Sequence, residues 1–152
     1  MEALEQLLAE HPFLQGLPSR HLSRLVDFAE AKQFDAQQFL FREGEAAREF
    51  FLIRSGQVAM EIYTARRGAI TIQTRQAGDV LGWMGLKPPY QWNVDARAMT
   101  VVRVITLKVE GLWRLCEEDH ELGYDLLKRH IGCMAQYFKS MKLQLVSLVH
   151  GV

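Results

Sequence analysis

The stretch that decides the fold is residues 77–98, which reads AGDVLGWMGLKPPYQWNVDARA. Gly78, Gly82 and Gly85 bracket a short apolar run, and a β-like segment ending at residues 96–98 follows. Glycines let a backbone turn tightly and approach a ligand closely, and this spacing is typical of a turn that cradles a phosphate. The sequence therefore predicts a binding fold built around residues 78–98.

Length and charge narrow the class of protein. The 152 residues carry 18 Lys and Arg against 18 Asp and Glu, so no basic surface suited to nucleic acid or an anionic membrane is expected. We interpret residues 1–152 as one domain. The acidic N-terminus and the lack of a long apolar run predict neither a signal peptide nor a membrane span, which favours the cytoplasm. Cys116 and Cys133 lie outside any Cys-x-x-Cys unit and are expected to be reduced.

The apolar periodicity predicts helices at both ends and strands between them. Helical spacing covers residues 2–10 and 19–30, with Ser19 as the expected N-cap. From about Lys32 the apolar residues recur with a period of two. The glycine-containing breaks between these segments predict hairpin connections. The predicted strands after that point include 49–54, 57–64, 69–75 and 97–107. The fold class is therefore mainly β within α+β: a jelly-roll-like, double-stranded β-roll (32–109), with short N-terminal helices (1–31) and C-terminal helices (110–150).

The last segment has the most regular apolar pattern in the chain. Its apolar residues are spaced 4, 3, 4, 3, 4, 3 and are Leu127, Ile131, Met134, Phe138, Met141, Leu145 and Leu148. A sustained period of 3.5 is typical of a long helix that packs along another helix, so we predict a homodimer through this seam. The alternative is a single amphipathic helix lying on its own sheet, which would favour a broader apolar stripe.

Residues for catalysis are missing from the predicted strands. The five histidines are His11, His21, His120, His130 and His150, so none lies between residues 22 and 119. A metal-dependent jelly-roll enzyme needs histidines on its inner sheet. The sequence also has no Gly-x-Ser-x-Gly, P-loop or His-Glu-x-x-His pattern. We expect neither an enzyme nor a bound metal.

Four motifs occur in the order and at the spacing of a known family. They are residues 41–45 (first glycine turn), 51–58 (an Ile-x-x-Gly-x-Val hairpin), 78–82 (cassette entry) and 97–100 (the strand that leaves the cassette). Over about residues 12–148 the chain resembles the cyclic-nucleotide-binding domain of the catabolite-activator type. That resemblance implies a phosphate-binding cassette at 78–98, dimerisation through the C-terminal helix and a regulatory role. Because the chain stops at Val152, a helix-turn-helix domain and DNA binding are not expected.

The cassette departs from the family at its ligand anchors. The family's ribose-binding glutamate corresponds to Trp83, and its phosphate-binding arginine and hydroxyl residue correspond to Trp92 and Asn93. A buried phosphate without a cation is costly, so tight binding of cAMP or cGMP is not expected. Lys87 adjoins a stiff Pro-Pro turn, and Arg97 alternates to the opposite face from its alanine neighbours, so neither is expected to replace the lost cation.

Two interpretations of the tryptophans stay open. In the first, an aromatic-lined pocket binds a non-canonical ligand, and the module is a homodimeric sensor that signals through a partner protein. The pocket candidates are Gly82, Trp83, Met84, Gly85, Trp92, Asn93, Arg97, Tyr137 and Phe138, with 137–139 placed where the family's long helix caps the base. In the second, the indoles fill the pocket, and the domain is a ligand-free interaction subunit of a larger bacterial complex.

Haem is the one cofactor that the resemblance suggests. Some relatives of the family are haem sensors, and His120, His130 or Cys133 could in principle serve as an axial ligand. A lone histidine on a helix is more often a surface or core residue, so we predict no cofactor.

Overall fold

The computed structural model describes residues 2–150, apart from the side chains of Glu2 and Trp83. Its helices are α1 (Glu2–Glu10), α2 (Ser19–Val26), α3 (Val109–Glu118) and α4 (His120–His150), with 3-10 helices at Pro12–Leu14 and Trp83–Leu86. Its strands are β1 (Ala29–Phe34), β2 (Phe39–Phe41), β3 (Glu49–Ser55), β4 (Gln57–Thr64), β5 (Gly68–Gln76), β6 (Val80–Leu81), β7 (Asp95–Ala98) and β8 (Val102–Lys108).

The strands form two antiparallel four-stranded sheets, in the orders β1-β8-β3-β6 and β2-β7-β4-β5. We call them the helix-side sheet and the outer sheet. The two sheets face each other as a roll, with short helices before it and a long helix after it, which confirms the predicted fold class. The turn at Gly68 joins β4 to β5 as a true hairpin.

The expected hairpin between residues 49–54 and 57–64 is wrong. β3 lies in the helix-side sheet and β4 in the outer sheet, so the chain changes sheets at residues 55–56. Gly56 makes this step with φ +92°, and a Cβ there would lie 2.3 Å from the Val101 carbonyl oxygen. A break containing glycine marks a change of direction in the sequence, but the strand's pairing partner is set by tertiary packing.

Three predicted boundaries also need correction. Helix α2 ends at Val26, and residues 29–31 belong to β1, which pairs with β8 along its whole length. Pro18 occupies the N-cap of α2, and Ser19 is the first helical residue. The single strand predicted at 97–107 is two strands in different sheets, because β7 pairs with β4 whereas β8 pairs with β1 and β3.

The apolar core has two layers separated by the helix-side sheet. One layer packs the helices against that sheet and includes Phe50, Leu52 and Ile105. The other fills the space between the sheets and includes Phe51, Val104 and Trp92. Alternate residues of β3 and β8 enter opposite layers, as expected for strands buried on both faces.

Helix α4 is buried on one face only. Leu122, Leu126 and His130 are buried against the domain, and Cys133 and Tyr137 continue the same face. The predicted seam lies on the other face, where its seven members are 40–75% exposed. The helix therefore does not lie on its own sheet through the seam. Among the described residues, no helix is long and apolar enough to cross a membrane.

Candidate ligand-binding site

The glycines of the cassette (residues 78–98) permit very close packing. Gly82 has φ +147°, and a Cβ there would lie 2.7 Å from the ring of Phe50. A Cβ on Gly85 would lie 2.7 Å from the Ala47 carbonyl oxygen. Both glycines therefore bring the turn against the body of the roll, so their close approach serves packing in this structure.

Trp92 lies inside the roll as a core residue. It is 5% exposed, and its ring stacks on Phe41 with a centroid distance of 3.6 Å and an interplanar angle of 9°. The ring of Phe51 lies 6.1 Å away. The indole thus occupies space between the sheets that a ligand would otherwise use. This supports the interpretation that Trp92 fills the pocket as a core residue.

The other candidates of the cassette are dispersed. Met84 is buried in the same layer as Trp92, whereas Asn93 is exposed. Trp83 begins the 3-10 helix, but its side chain lies outside the described residues, so its part in a pocket stays a prediction. The described side chains of this set, Met84 and Asn93, do not form one polar surface that could hold a phosphate.

Arg97 lies outside the pocket, which corrects its place among the candidates. Ala96 and Ala98 enter the core between the sheets, so Arg97 projects from the opposite face of β7. Its guanidinium donates two hydrogen bonds to the buried carboxylate of Glu61, at 3.0 and 2.8 Å, and also contacts Gln37. Hydrogen bonding to Arg97 lowers the pKa of Glu61.

Of the two candidates on α4, one reaches the cassette. The Tyr137 hydroxyl accepts a hydrogen bond from Val80 N at 3.0 Å and lies 3.3 Å from Val80 O. Burial raises the pKa of Tyr137 to about 12, so the phenol keeps its proton. Phe138 is 70% exposed on the seam, so within one chain it does not line the roll, and its place in a pocket stays a prediction. Adjacent helical residues point about 100° apart, and only one of them can face the roll.

Two inward-facing residues of β5 were missed by the sequence analysis. Arg75 and Gln73 pair with Val58 and Met60, whose side chains lie in the core between the sheets. The Arg75 guanidinium lies 3.7 Å from the Tyr137 ring centroid, and burial lowers its pKa. Arg75 Nε and Gln73 Oε1 are buried without a hydrogen-bond partner among the described residues. Polar residues at i and i+2 on a strand ordinarily indicate its exposed face, so nothing in the sequence indicated that these two residues are buried.

The candidate haem ligands do not form a haem site. His120 is exposed, and Cys133 is half-buried with its thiol pKa raised by burial. His130 is buried, its pKa is lowered by burial, and neither ring nitrogen has a partner among the described residues. It lines a cavity of about 50 Å³, which holds at most one or two water molecules and no macrocycle. No described group of three or more His, Cys, Asp or Glu could hold a metal ion.

The architecture is a two-sheet roll with a glycine-rich cassette, contacted by a long C-terminal helix. The family model of the cyclic nucleotide-binding domain matches residues 31–119, which is more than half of the chain. The chain therefore belongs to the cyclic nucleotide-binding domain family, whose domains regulate rather than catalyse. No curated protein sequence matches it.

Solved structures show the same fold. A cyclic nucleotide-binding domain from Methylobacillus flagellatus is 17% identical with a TM-score of 0.79, covering 95% of this chain and 82% of that one. The sensor domain of the transcriptional regulator DNR from Pseudomonas aeruginosa is 19% identical with a TM-score of 0.73, covering 91% and 93%. A regulatory subunit of a cAMP-independent protein kinase A from Trypanosoma cruzi, bound to guanosine, is 24% identical with a TM-score of 0.62, covering 84% and 50%.

Proposed function

We propose that this protein is a homodimeric regulatory module whose roll does not bind cAMP or cGMP tightly and which signals through a partner protein. The observation that carries the proposal is the direct contact between α4 and the cassette. Tyr137 bonds to both backbone groups of Val80, and Trp92 fills the space between the sheets. The protein's own side chains thus join the helix directly to the cassette.

The residues at the expected phosphate-anchoring positions support weak binding of a cyclic phosphate, and the Arg75 guanidinium, which does face the interior, lies against the ring of Tyr137. The phosphate-anchoring position carries Trp92, and the Arg97 guanidinium is bonded to Glu61 on the outer face. Hydrogen bonds to charged groups contribute about 1.5–3 kcal/mol each. Losing two such anchors weakens binding by several kcal/mol, and every 1.4 kcal/mol costs about a factor of ten in affinity.

Cyclic nucleotides are therefore expected to leave the thermal unfolding of the protein unchanged. A ligand at one hundred times its dissociation constant adds about 2.7 kcal/mol, which would raise the Tm of a domain of this size by about 5–10 °C. Melts of the purified protein with and without millimolar cAMP or cGMP measure this directly. A rise of that size with either nucleotide would contradict the proposal.

Helix α4 offers the surface for dimerisation. The seven seam residues are exposed, and they continue along the helix past the part that is buried against the domain. Burying Phe138 and the leucines against a second copy removes apolar surface from water, at about 25 cal/mol per Å². The helix would then carry any rearrangement of the roll to the dimer and its partner.

Phe138→Glu is expected to convert the dimer to monomers. Two carboxylates would face each other across the seam, so we expect the dissociation constant of the dimer to rise more than tenfold. Because Phe138 is exposed within one chain, the fold should persist. Light scattering across a concentration series measures the mass, and Lys139→Glu is the matched control, since it places a carboxylate one residue away from the seam. A dimer that survives Phe138→Glu unchanged would rule out this interface.

A second candidate function is a sensor for a non-canonical ligand that carries a base-like group. The observation that favours it is the pair of unpartnered polar atoms, Arg75 Nε and Gln73 Oε1, beneath Tyr137. A base-like group could satisfy one donor and one acceptor there, and the Trypanosoma cruzi relative is bound to a nucleoside without a phosphate. Thermal melts with guanosine test this sensor function. A rise in Tm that is lost in Arg75→Gln supports the sensor, whereas no rise in Tm favours the ligand-free interaction subunit.

The location of the protein in the cytoplasm and its lack of catalytic activity stay predictions.

A further inference from the structure

A groove lies outside the roll, between the cassette turn at residues 85–90 and the start of α3; we call it the α3 groove. Its volume is about 890 Å³, within the range of small-molecule sites in proteins. Three segments form its walls: residues 47–49 at the start of β3, residues 85 and 90 of the cassette, and residues 108–113. Glu30 and Lys32 of β1 close one end. This space is separate from the layer that Trp92 fills.

The segments around the α3 groove are held together by hydrogen bonds. Ala47 N donates to the Tyr90 carbonyl oxygen at 2.8 Å, and Val109 N donates to the Arg48 carbonyl oxygen at 2.9 Å. The indole of Trp113 donates to the Gly85 carbonyl oxygen at 3.3 Å. The walls are therefore preformed, and a ligand would not have to order them on binding.

Two aromatic rings face the groove with large exposed surfaces. Trp113 is 37% exposed and Tyr90 is 49% exposed, and both line the same cavity. Tyr90 also adopts φ +58°, a left-handed conformation that is uncommon for a bulky side chain. Such strained residues cluster at binding sites, where the surrounding structure imposes the conformation. Exposed rings of this kind suit a planar apolar group.

The charged residues of the groove leave two cations without partners. Lys32 lies 2.7 Å from Glu49 and 3.8 Å from Glu30, so its ammonium offsets one of these two carboxylates and one negative charge remains at this end of the groove. Glu110 forms a loose, exposed pair with Arg114 at 3.9 Å. The side chains of Arg48 and Lys108 form no ion pair or hydrogen bond with any described residue. A guanidinium and an ammonium in one groove favour an anion, most strongly a carboxylate or another planar oxyanion.

We propose that the α3 groove binds a small aromatic anion, with the ring against Tyr90 and Trp113 and the anionic group between Arg48 and Lys108. This site is separate from the interior of the roll, so the proposal does not depend on whether the roll binds a nucleoside.

Calorimetric titration of the full chain with indole-3-acetate and with indole-3-acetamide tests the site. The two probes have the same ring and nearly the same shape but differ in charge. We expect the acetate to bind at least tenfold more tightly than the amide. The double variant Arg48→Gln/Lys108→Gln should erase that difference, and Tyr90→Asn, which tolerates the left-handed backbone, should weaken both probes.

The matched control is Arg66→Gln/Arg67→Gln, which removes the same two positive charges at the exposed β4–β5 turn. It should bind both probes as the unmodified chain does. The proposal is overturned if neither probe binds at millimolar concentration, if the two probes bind equally, or if the control variant loses the preference for the acetate. Melts of each variant identify a loss of fold, and Tyr90→Asn keeps the site testable if the double variant unfolds.

Discussion

Trp92→Ala is expected to lower the free energy of unfolding by about 3–5 kcal/mol, the range for truncating a large buried aromatic residue. The indole is buried between the sheets, stacks on Phe41 and contacts Phe51, so its removal leaves a cavity that the two sheets cannot close. If the tryptophan instead formed the wall of an open ligand pocket, the loss would be much smaller, because part of its surface would already face water.

Urea unfolding followed by circular dichroism measures this change, and Trp113→Ala is the matched control. Trp113 is partly exposed and makes one indole hydrogen bond, so its truncation should cost less than half as much. Trp92→Leu keeps an apolar side chain and should recover part of the loss if Trp92→Ala is too unstable to purify. Equal losses for Trp92→Ala and Trp113→Ala would contradict the assignment of Trp92 to the core.

Arg97→Met is expected to lower the free energy of unfolding by about 3 kcal/mol at neutral pH. The Glu61 side chain is 4% exposed, and Arg97 supplies its only ion pair among the described residues. Removing one partner of a buried pair leaves an uncompensated charge, which costs about 3–5 kcal/mol; we take the lower end because Arg97 is 24% exposed. Chemical unfolding of both proteins at pH 7 measures the difference.

The loss should depend on pH with a definite sign. Arg97 lowers the pKa of Glu61 below its ordinary value, so the pair stabilises the folded state fully above that value and loses its effect as pH falls through the lowered pKa. In Arg97→Met the buried carboxyl becomes neutral at a higher pH. The difference between the two proteins should therefore shrink as the pH falls toward the ordinary pKa of glutamate, about 4.3, and should go on shrinking below it as Glu61 is protonated in the unmodified protein as well.

The double variant Glu61→Leu/Arg97→Met separates the ion pair from the packing of its side chains. Replacing both charges by apolar groups removes the unpaired carboxylate, so this variant should be more stable than Arg97→Met alone. If the double variant is as unstable as the single one and neither depends on pH, the loss comes from packing and the ion-pair account is wrong.

The periodic parts of the chain were predictable from sequence. The 3.5-residue repeat predicted a long C-terminal helix with an unburied seam, and α4 has both properties. The motifs at 41–45, 51–58 and 78–82 predicted the roll and its family; the two sheets confirm the roll and the family model confirms the family. These features are local in sequence, because each depends on the spacing of apolar residues or glycines within one segment.

The pairing of the strands and the side chains that fill the interior of the roll were not predictable from local spacing. Residues 55–56 have the composition of a hairpin turn, yet they connect two sheets because β3 pairs with β8 and β4 with β7. Arg75 and Gln73 look like exposed strand residues in the sequence, but β5 turns them toward Tyr137, more than 60 positions away. Such contacts depend on which strands pair, and the strand pattern does not specify that.

The sequence by itself therefore determined the β-roll and its helices, because these follow from residue types at known spacings, and the family resemblance predicted the loss of the phosphate anchors. Only the tertiary structure decided what replaces those anchors: Trp92 enters the core, Arg97 turns outward to Glu61, and Tyr137 joins α4 to Val80. The physical reason is that the burial of a side chain and the choice of its partner depend on how the two sheets pack together. The spacing of apolar residues, in contrast, can be read within a single segment.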